Sequence, residues 1–241
     1  MPTKRITRTL AAVLGAAVAA IAAIIALPSL PALSVDALPA PTSTTAATTS
    51  PLTGDAALAL EQLEQLVVAG GVSQDTYQRD MFGQRWADID RNGCDQRNDT
   101  LARDLIDVTT KPGTRDCVVL AGTLHDPYTG QTITFQRGQG TSELVQIDHV
   151  VPLAWAWRHG ASTWTEDQRE HFANDPLNLQ AADGSANQSK SDKGPADWMP
   201  PNTAYRCTYT ERFVEILSTY QLTVDPADYT ALQAQLTSCT A

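Results

Sequence analysis

The chain has 241 residues, 42% of them hydrophobic and 18% charged, with a formal net charge of −10. Setting aside Lys4, Arg5, Arg8 and Asp36 at the N-terminus leaves 14 basic and 26 acidic residues, a net −12. That balance excludes a protein that coats nucleic acid through bulk charge, but not an enzyme that engages one or two phosphates locally.

Lys4, Arg5 and Arg8 form a positive segment ahead of an Ala/Leu/Ile-rich run from Leu10 to about Leu27. Val35-Asp36-Ala37 then offers small residues at the spacing signal peptidase reads, so residues 1–37 are expected to be a signal peptide. The run approaches the roughly 20 residues that span a bilayer, and a retained N-terminal membrane anchor is the alternative. Residues 38–54 are rich in Thr, Ser, Pro and Ala with neither charge period nor apolar period, the composition of an extended spacer. Residues 55–241 are long enough for one domain with a sizeable core.

Within that domain, Leu58, Leu63, Leu66 and Val67 recur at helical spacing over 55–69, and Asn98–Ile106 reads as a second helix. Cys117–Leu124 and Gln131–Phe135 are β-rich and flank the turn sequence His-Asp-Pro-Tyr-Thr-Gly, which predicts a hairpin. Glu143–Asp148 reads as a further strand, followed by helices over Leu153–His159 and Thr165–Ala173, the second opening on a capping box of Thr165 and Gln168. A short strand over Leu177–Ala181, a short helix over Ser185–Ser191, a loop over 194–202 and two closing helices, Thr203–Tyr220 and Pro226–Leu236, complete an α+β domain.

Cys94, Cys117, Cys207 and Cys239 are an even count in a chain with an export leader, which reads as two disulfides. Proximity in sequence favours Cys94 with Cys117 and Cys207 with Cys239; four free thiols or a zinc site are the alternatives. Asp88, Asp90, Asn92 and Gly93 overlay a calcium-loop spacing with Asp99 at its twelfth position, so a structural Ca²⁺ is one reading. An Asn-Gly turn pinned by a disulfide is the other.

The chemistry lies between residues 143 and 193. Asp148-His149 ends an apolar run and is followed by Val-Val-Pro-Leu; Asn178 stands in Pro-Leu-Asn-Leu and Asn187 in Asn-Gln-Ser-Lys-Ser-Asp-Lys. An imidazole can take a proton from water, and Asp and Asn oxygens suit Mg²⁺ or Mn²⁺ better than Zn²⁺. Those parts can hydrolyse a phosphodiester.

From Ile147 to Asn202 these motifs resemble the HNH nuclease superfamily, built on the ββα-metal (His-Me finger) core. The closer likeness is to the GmrSD C-terminal-like (DUF1524-type) HNH family, whose exported actinobacterial members look like this chain over most of its mature length. The resemblance implies that His149 is the general base, that Asp148 and Asn187 ligate one divalent metal, and that Asn178 holds the intervening loop and orients His149 by hydrogen bonding. Lys190, one turn beyond Asn187, would touch a phosphate, and Arg97 would face the cleft. Asn187 replaces the third His of the literal pattern, which lowers affinity for soft metals. The insertion between His149 and Asn178 is expected to fold outward as a helical excursion.

Arg158, Arg169 and Lys193 are further candidate phosphate contacts. His125, His159 and His171 read as structural or solvent-facing, and Trp155, Trp157, Trp164 and Trp198 as core packing before base stacking. The expectation is an exported metal-dependent endonuclease acting on nucleic acid, DNA before RNA, secreted or tethered to the outer face of the membrane. The competing readings are a non-nuclease hydrolase of the cell envelope, which would need a richer His/Cys ligand set, and a non-catalytic envelope-binding module on a Thr/Pro stalk.

Overall fold

The computed structural model describes residues 54–72 and 75–239. The expected leader and all but the last residue of the expected spacer lie outside them. Helix α1 (Gly54–Gln65) buries Ala56, Ala59 and Leu63, while Leu58 and Val67 stand in solvent. The small alanines let it pack closely against α6 (Arg206–Thr219) and α7 (Pro226–Cys239). The helix ends at Gln65, four residues short of the expected 55–69 span, because the chain beyond it is extended. Ala69 N–H donates to Val224 O at 2.8 Å, and Val224 N–H returns the bond to Val67 O at 3.0 Å.

Helix α2 (Gln96–Asp104) begins two residues earlier than its apolar residues suggest, because Asp95 caps it by accepting from Asn98 N–H at 2.9 Å. Strand β1 (Leu105–Thr110) follows without a break and takes up Leu105 and Ile106, which the expected helix included. Its register against β2 (Val119–His125) shifts twice, which erases the alternation that would have marked it as a strand. β2 and β3 (Thr132–Gln136) form the expected hairpin, and β1-β2-β3 is an antiparallel meander.

A second sheet pairs β4 (Val145–His149) with β5 (Leu179–Asp183), antiparallel, with Asp148 opposite Gln180 and His149 opposite Leu179. Helix α5 (Gly184–Lys190) follows β5 directly. Strand period two sends Val145 and Ile147 into a core shared with Leu101, Val119, Leu124 and Phe135, leaving Gln146 and Asp148 for α5. Two arginines fix the entry to β5: Arg103 of α2 and Arg212 of α6 both donate to Leu179 O, at 2.6 and 2.8 Å.

Between β4 and β5 the chain forms α3 (Leu153–Arg158) and α4 (Glu166–Asn174), the latter with its capping box in place. The expectation that this excursion folds outward is corrected. Leu153 to Trp157 are all buried, and Leu153, Trp155, Ala156 and Trp157 join the main helical core, because five consecutive apolar residues leave this stretch of α3 no face for water. Trp155 Nε1 donates to the buried Asp228 of α7 at 2.8 Å, tying the excursion to the closing helix.

Both disulfides pair as proximity suggested, Cys94 with Cys117 and Cys207 with Cys239. The first pins the turn at 88–94, where Asp88 accepts from Asn92 N–H and Gly93 N–H and Asp90 accepts from Asn92. Those carboxylates are bonded to their own loop. Asp99 keeps one buried oxygen without a hydrogen-bond partner among the described residues.

His159 ends α3 and is 2% exposed, stacked on Trp155 with ring centroids 3.8 Å apart. Burial lowers its pKa from 6.5 to about 4, against the pull of Asp225 at 3.8 Å. The unfolded chain therefore takes up a proton below pH 6.5 that the fold refuses until about pH 4. Stability is lost as pH falls through that window, on the order of 2 kcal/mol from this residue between pH 7 and 5. Urea unfolding at the two pH values should show a pH penalty smaller by about that amount in His159→Gln than in the wild type. An identical penalty in both proteins would place the acid sensitivity elsewhere.

Candidate active site

Asp148 and His149 reach one cleft from opposite faces of β4. This cleft, about 430 Å³, is lined by Tyr77, Arg79, Asp148, His149, Pro152, Leu153, Ala154, Ser191 and Asp192. A somewhat larger groove of about 500 Å³ runs past Trp164, His171 and Tyr220 and contains none of the motif residues.

Asp148 is 5% exposed and carries three bonds. Tyr128 donates its hydroxyl to Oδ2 at 2.6 Å, and Lys190 Nζ lies 3.1 Å from Oδ1 and 3.0 Å from Oδ2. Lys190 also donates to His149 O at 2.8 Å and is 0% exposed. Its three protons thus have three acceptors within reach, all on two successive residues of β4. Burial lowers the Lys190 pKa and the Asp148 carboxylate opposes that, while Tyr128 is pushed well up by burial and by Asp148. The expectation that Lys190 meets a phosphate is therefore corrected. One helical turn beyond Asn187 points it at the strand, and its charge is spent on Asp148.

His149 is fixed by a different bond. Its Nε2 lies 2.9 Å from Ala173 O at the end of α4. A carbonyl only accepts, so Nε2 carries the hydrogen and Nδ1 holds the free lone pair. Burial pulls its pKa well below 6.5, the carbonyl opposes this, and the nearby Arg79, Lys190 and Arg85 add to the lowering. The ring is neutral at physiological pH and so available as a base. Trp86 lies beside it, ring centroids 6.3 Å apart and planes within 6°.

Asn178 is fully buried and clamps the turn out of β4. Its Oδ1 accepts from Val151 N–H at 2.9 Å, its Nδ2 donates to Val151 O at 3.2 Å, and its own carbonyl accepts from Val150 N–H. It holds the loop, but the bond that orients the imidazole comes from Ala173 instead. Asn187 lies over β4, donating Nδ2 to Gln146 Oε1 at 2.9 Å. Among the described residues no donor reaches its Oδ1.

The other expected contacts fall as follows. Arg158 donates to the carboxylate and the carbonyl of Asp192 at 2.8 and 3.0 Å, on the cleft wall. Arg97 is not among the lining residues; its guanidinium is shaped by burial and by Arg137 and Asp95. Arg169 donates to Met81 O at 2.7 Å and Lys193 to Ser189 O at 2.8 Å. Tyr77, Arg79, Trp86, Tyr128, Ser191 and Asp192 were not singled out by the sequence. Ser191 and Asp192 stand within the Asn-Gln-Ser-Lys-Ser-Asp-Lys motif, which assigns them no role of their own; the others come from distant segments with no periodic signal.

The donor set suits a hard cation. Asp148 brings a carboxylate to the cleft, whereas Asn187 is not among its lining residues; it offers from α5 an amide oxygen that no donor reaches among the described residues, and carboxylate and amide oxygens are of the kind that hold Mg²⁺ or Mn²⁺ together with water. Among the described residues there is no group of three or more His, Cys, Asp or Glu that could hold a metal, which a tight zinc site needs.

With this geometry in view, the comparisons with known proteins are specific. Residues 95–235 match the family described as GmrSD restriction endonucleases, C-terminal domain. The chain belongs to that family. It is also 38% identical over 193 residues, 79% of its own length and 89% of the relative's, to an uncharacterized secreted protein of Arthroderma benhamiae. No solved structure matches. The family span takes in β4, β5 and α5 and every motif residue, but starts after Arg79 and Trp86.

Lys190→Met should strand the Asp148 charge in the protein and cost about 3–5 kcal/mol. Adding Asp148→Asn should recover a large part of that loss, which a urea-unfolding double-mutant cycle measures. Strictly additive losses would mean the pair is not coupled.

Proposed function

We propose that the protein is an exported, metal-dependent HNH endonuclease that hydrolyses phosphodiester bonds in nucleic acid, with DNA the preferred substrate. The observation that carries this reading is His149. It is a neutral imidazole in a cleft, with Nε2 committed to Ala173 O and Nδ1 left to take a proton. Membership of a restriction-endonuclease family and a relative described as secreted support it from outside. Among the described residues no helix is long and apolar enough to cross a membrane.

On this reading β4, β5 and α5 form the ββα-metal core. Asp148 and Asn187 would hold one Mg²⁺ or Mn²⁺, which when bound supplies positive charge to the phosphate and leaving oxygens. His149 Nδ1 removes a proton from the attacking water, and Ala173 O keeps the ring aligned as it becomes imidazolium. Lys190 and Tyr128 hold the Asp148 carboxylate in one rotamer, a positioning role. Lys190 shares that carboxylate, so the metal should bind weakly in the absence of substrate.

Plasmid nicking by the disulfide-intact mature domain in Mg²⁺, Mn²⁺ or Ca²⁺, with and without EDTA, tests the reading. Cleavage should require metal and fall by about 10²–10⁴ in His149→Ala, with the thermal transition nearly unchanged. Retained metal-dependent cleavage by that variant would remove the base. Asn187→Ala should weaken metal binding about tenfold or more, as read by isothermal titration with Mn²⁺; unchanged affinity would reassign the ligand.

A further inference from the structure

The segment that closes the cleft from above lies outside the family span. Residues 79–82 form a single 3₁₀ turn, and α4 holds this turn and the stretch that follows it. Arg169 Nε donates to Met81 O at 2.7 Å, Gln84 N–H donates to Glu170 at 2.7 Å, and Ala87 N–H donates to Asn174 Oδ1 at 3.0 Å. Asn174 Nδ2 returns a bond to Gln84 O at 3.1 Å. Helix α4 is also the element whose Ala173 carbonyl locks His149. One rigid support therefore fixes the base and the segment opposite it.

Arg79, the first residue of the turn, lines the same cleft as Asp148 and His149. Its Nη1 is buried and has no hydrogen-bond partner among the described residues. None of the ion pairs among those residues includes it. The charged groups that influence it are Tyr77 and Arg85, neither an anion at neutral pH, and burial itself disfavours its charge. A guanidinium N–H withdrawn from water with nothing to accept from it is costly unless a ligand completes it. Guanidinium geometry matches phosphate oxygens, and Arg79 shares one cleft with His149.

We propose that Arg79 is a substrate-binding residue of this site, donating its unpaired Nη1 hydrogen to a non-bridging oxygen of the phosphodiester that His149 attacks through water. The proposal rests on the nuclease reading and extends the site beyond residues 95–235. It also explains how a protein whose residues after position 37 sum to −12 meets a polyanion: Arg79 lines the cleft beside His149 as a local cation.

The test uses the full mature protein, disulfides intact, as wild type, Arg79→Ala and Arg79→Lys. Two readouts are taken: plasmid cleavage rates, and binding of thymidine 3′,5′-bisphosphate by isothermal titration. Thermal melting checks each variant's fold. Arg79→Ala should cut cleavage about 100-fold and weaken bisphosphate binding about tenfold or more, and Arg79→Lys should recover only part of each loss. If either variant cleaves within threefold of wild type, or binds the bisphosphate equally well, Arg79 is not the phosphate ligand while the nuclease reading stands. If the wild type cleaves no nucleic acid, the nuclease reading falls. Bisphosphate binding that still depends on Arg79 would then keep the phosphate site, and binding independent of it would overturn that too. Should Arg79→Ala fail to fold, Arg79→Lys carries both measurements.

Discussion

A single carboxylate, Asp148, lies almost out of water at the end of a two-stranded sheet, and an ammonium from the following helix neutralises it. Charge buried this way is tolerated only when every partner is in place. Lys190 must reach two successive residues of β4 from the last turn of α5, and Tyr128 must reach the same carboxylate from the tip of the β2–β3 hairpin. The hairpin tip is in turn held to β5, where Asp126 accepts from Asp183 N–H at 3.0 Å. Strand, helix and hairpin are thereby fixed relative to one another around one charge, and the cleft is the space they leave.

His149 depends on a second, independent set of constraints. Its neighbour in sequence points to the α5 side, so the imidazole points to the other, where the excursion between β4 and β5 returns. Because α3 is apolar from Leu153 to Trp157, that excursion is drawn into the core and does not extend from it. Burial of α3 is what delivers the end of α4, and with it the Ala173 carbonyl, to the imidazole. The core packing and the tautomer of the base are linked in this way.

Motif residues that are close in sequence and linked by strand or helix period were legible without coordinates. Asp148 and His149 had to diverge from a strand end, and Asn187 and Lys190 had to share a helix face. The hairpin, the capping box at Thr165 and the disulfide pairing follow from turn, cap and proximity rules that act over a few residues. Strand β1 was missed because its irregular register leaves no alternation to read. The burial of Lys190 was missed because a lysine one turn past a polar residue looks the same whether it faces solvent or a carboxylate.

The sequence by itself determined the order of the elements apart from β1, favoured the two covalent links, and showed which side chains can donate or accept a proton. Those properties reside in local geometry and in the chemistry of each residue. Only the tertiary structure decided what each functional group touches: Tyr128 and Lys190 on Asp148, Ala173 on His149, and beside them Arg79, whose Nη1 has no hydrogen-bond partner among the described residues. Such contacts join positions up to about seventy residues apart, and they are selected by how helices and sheets pack. No period in a linear chain encodes that.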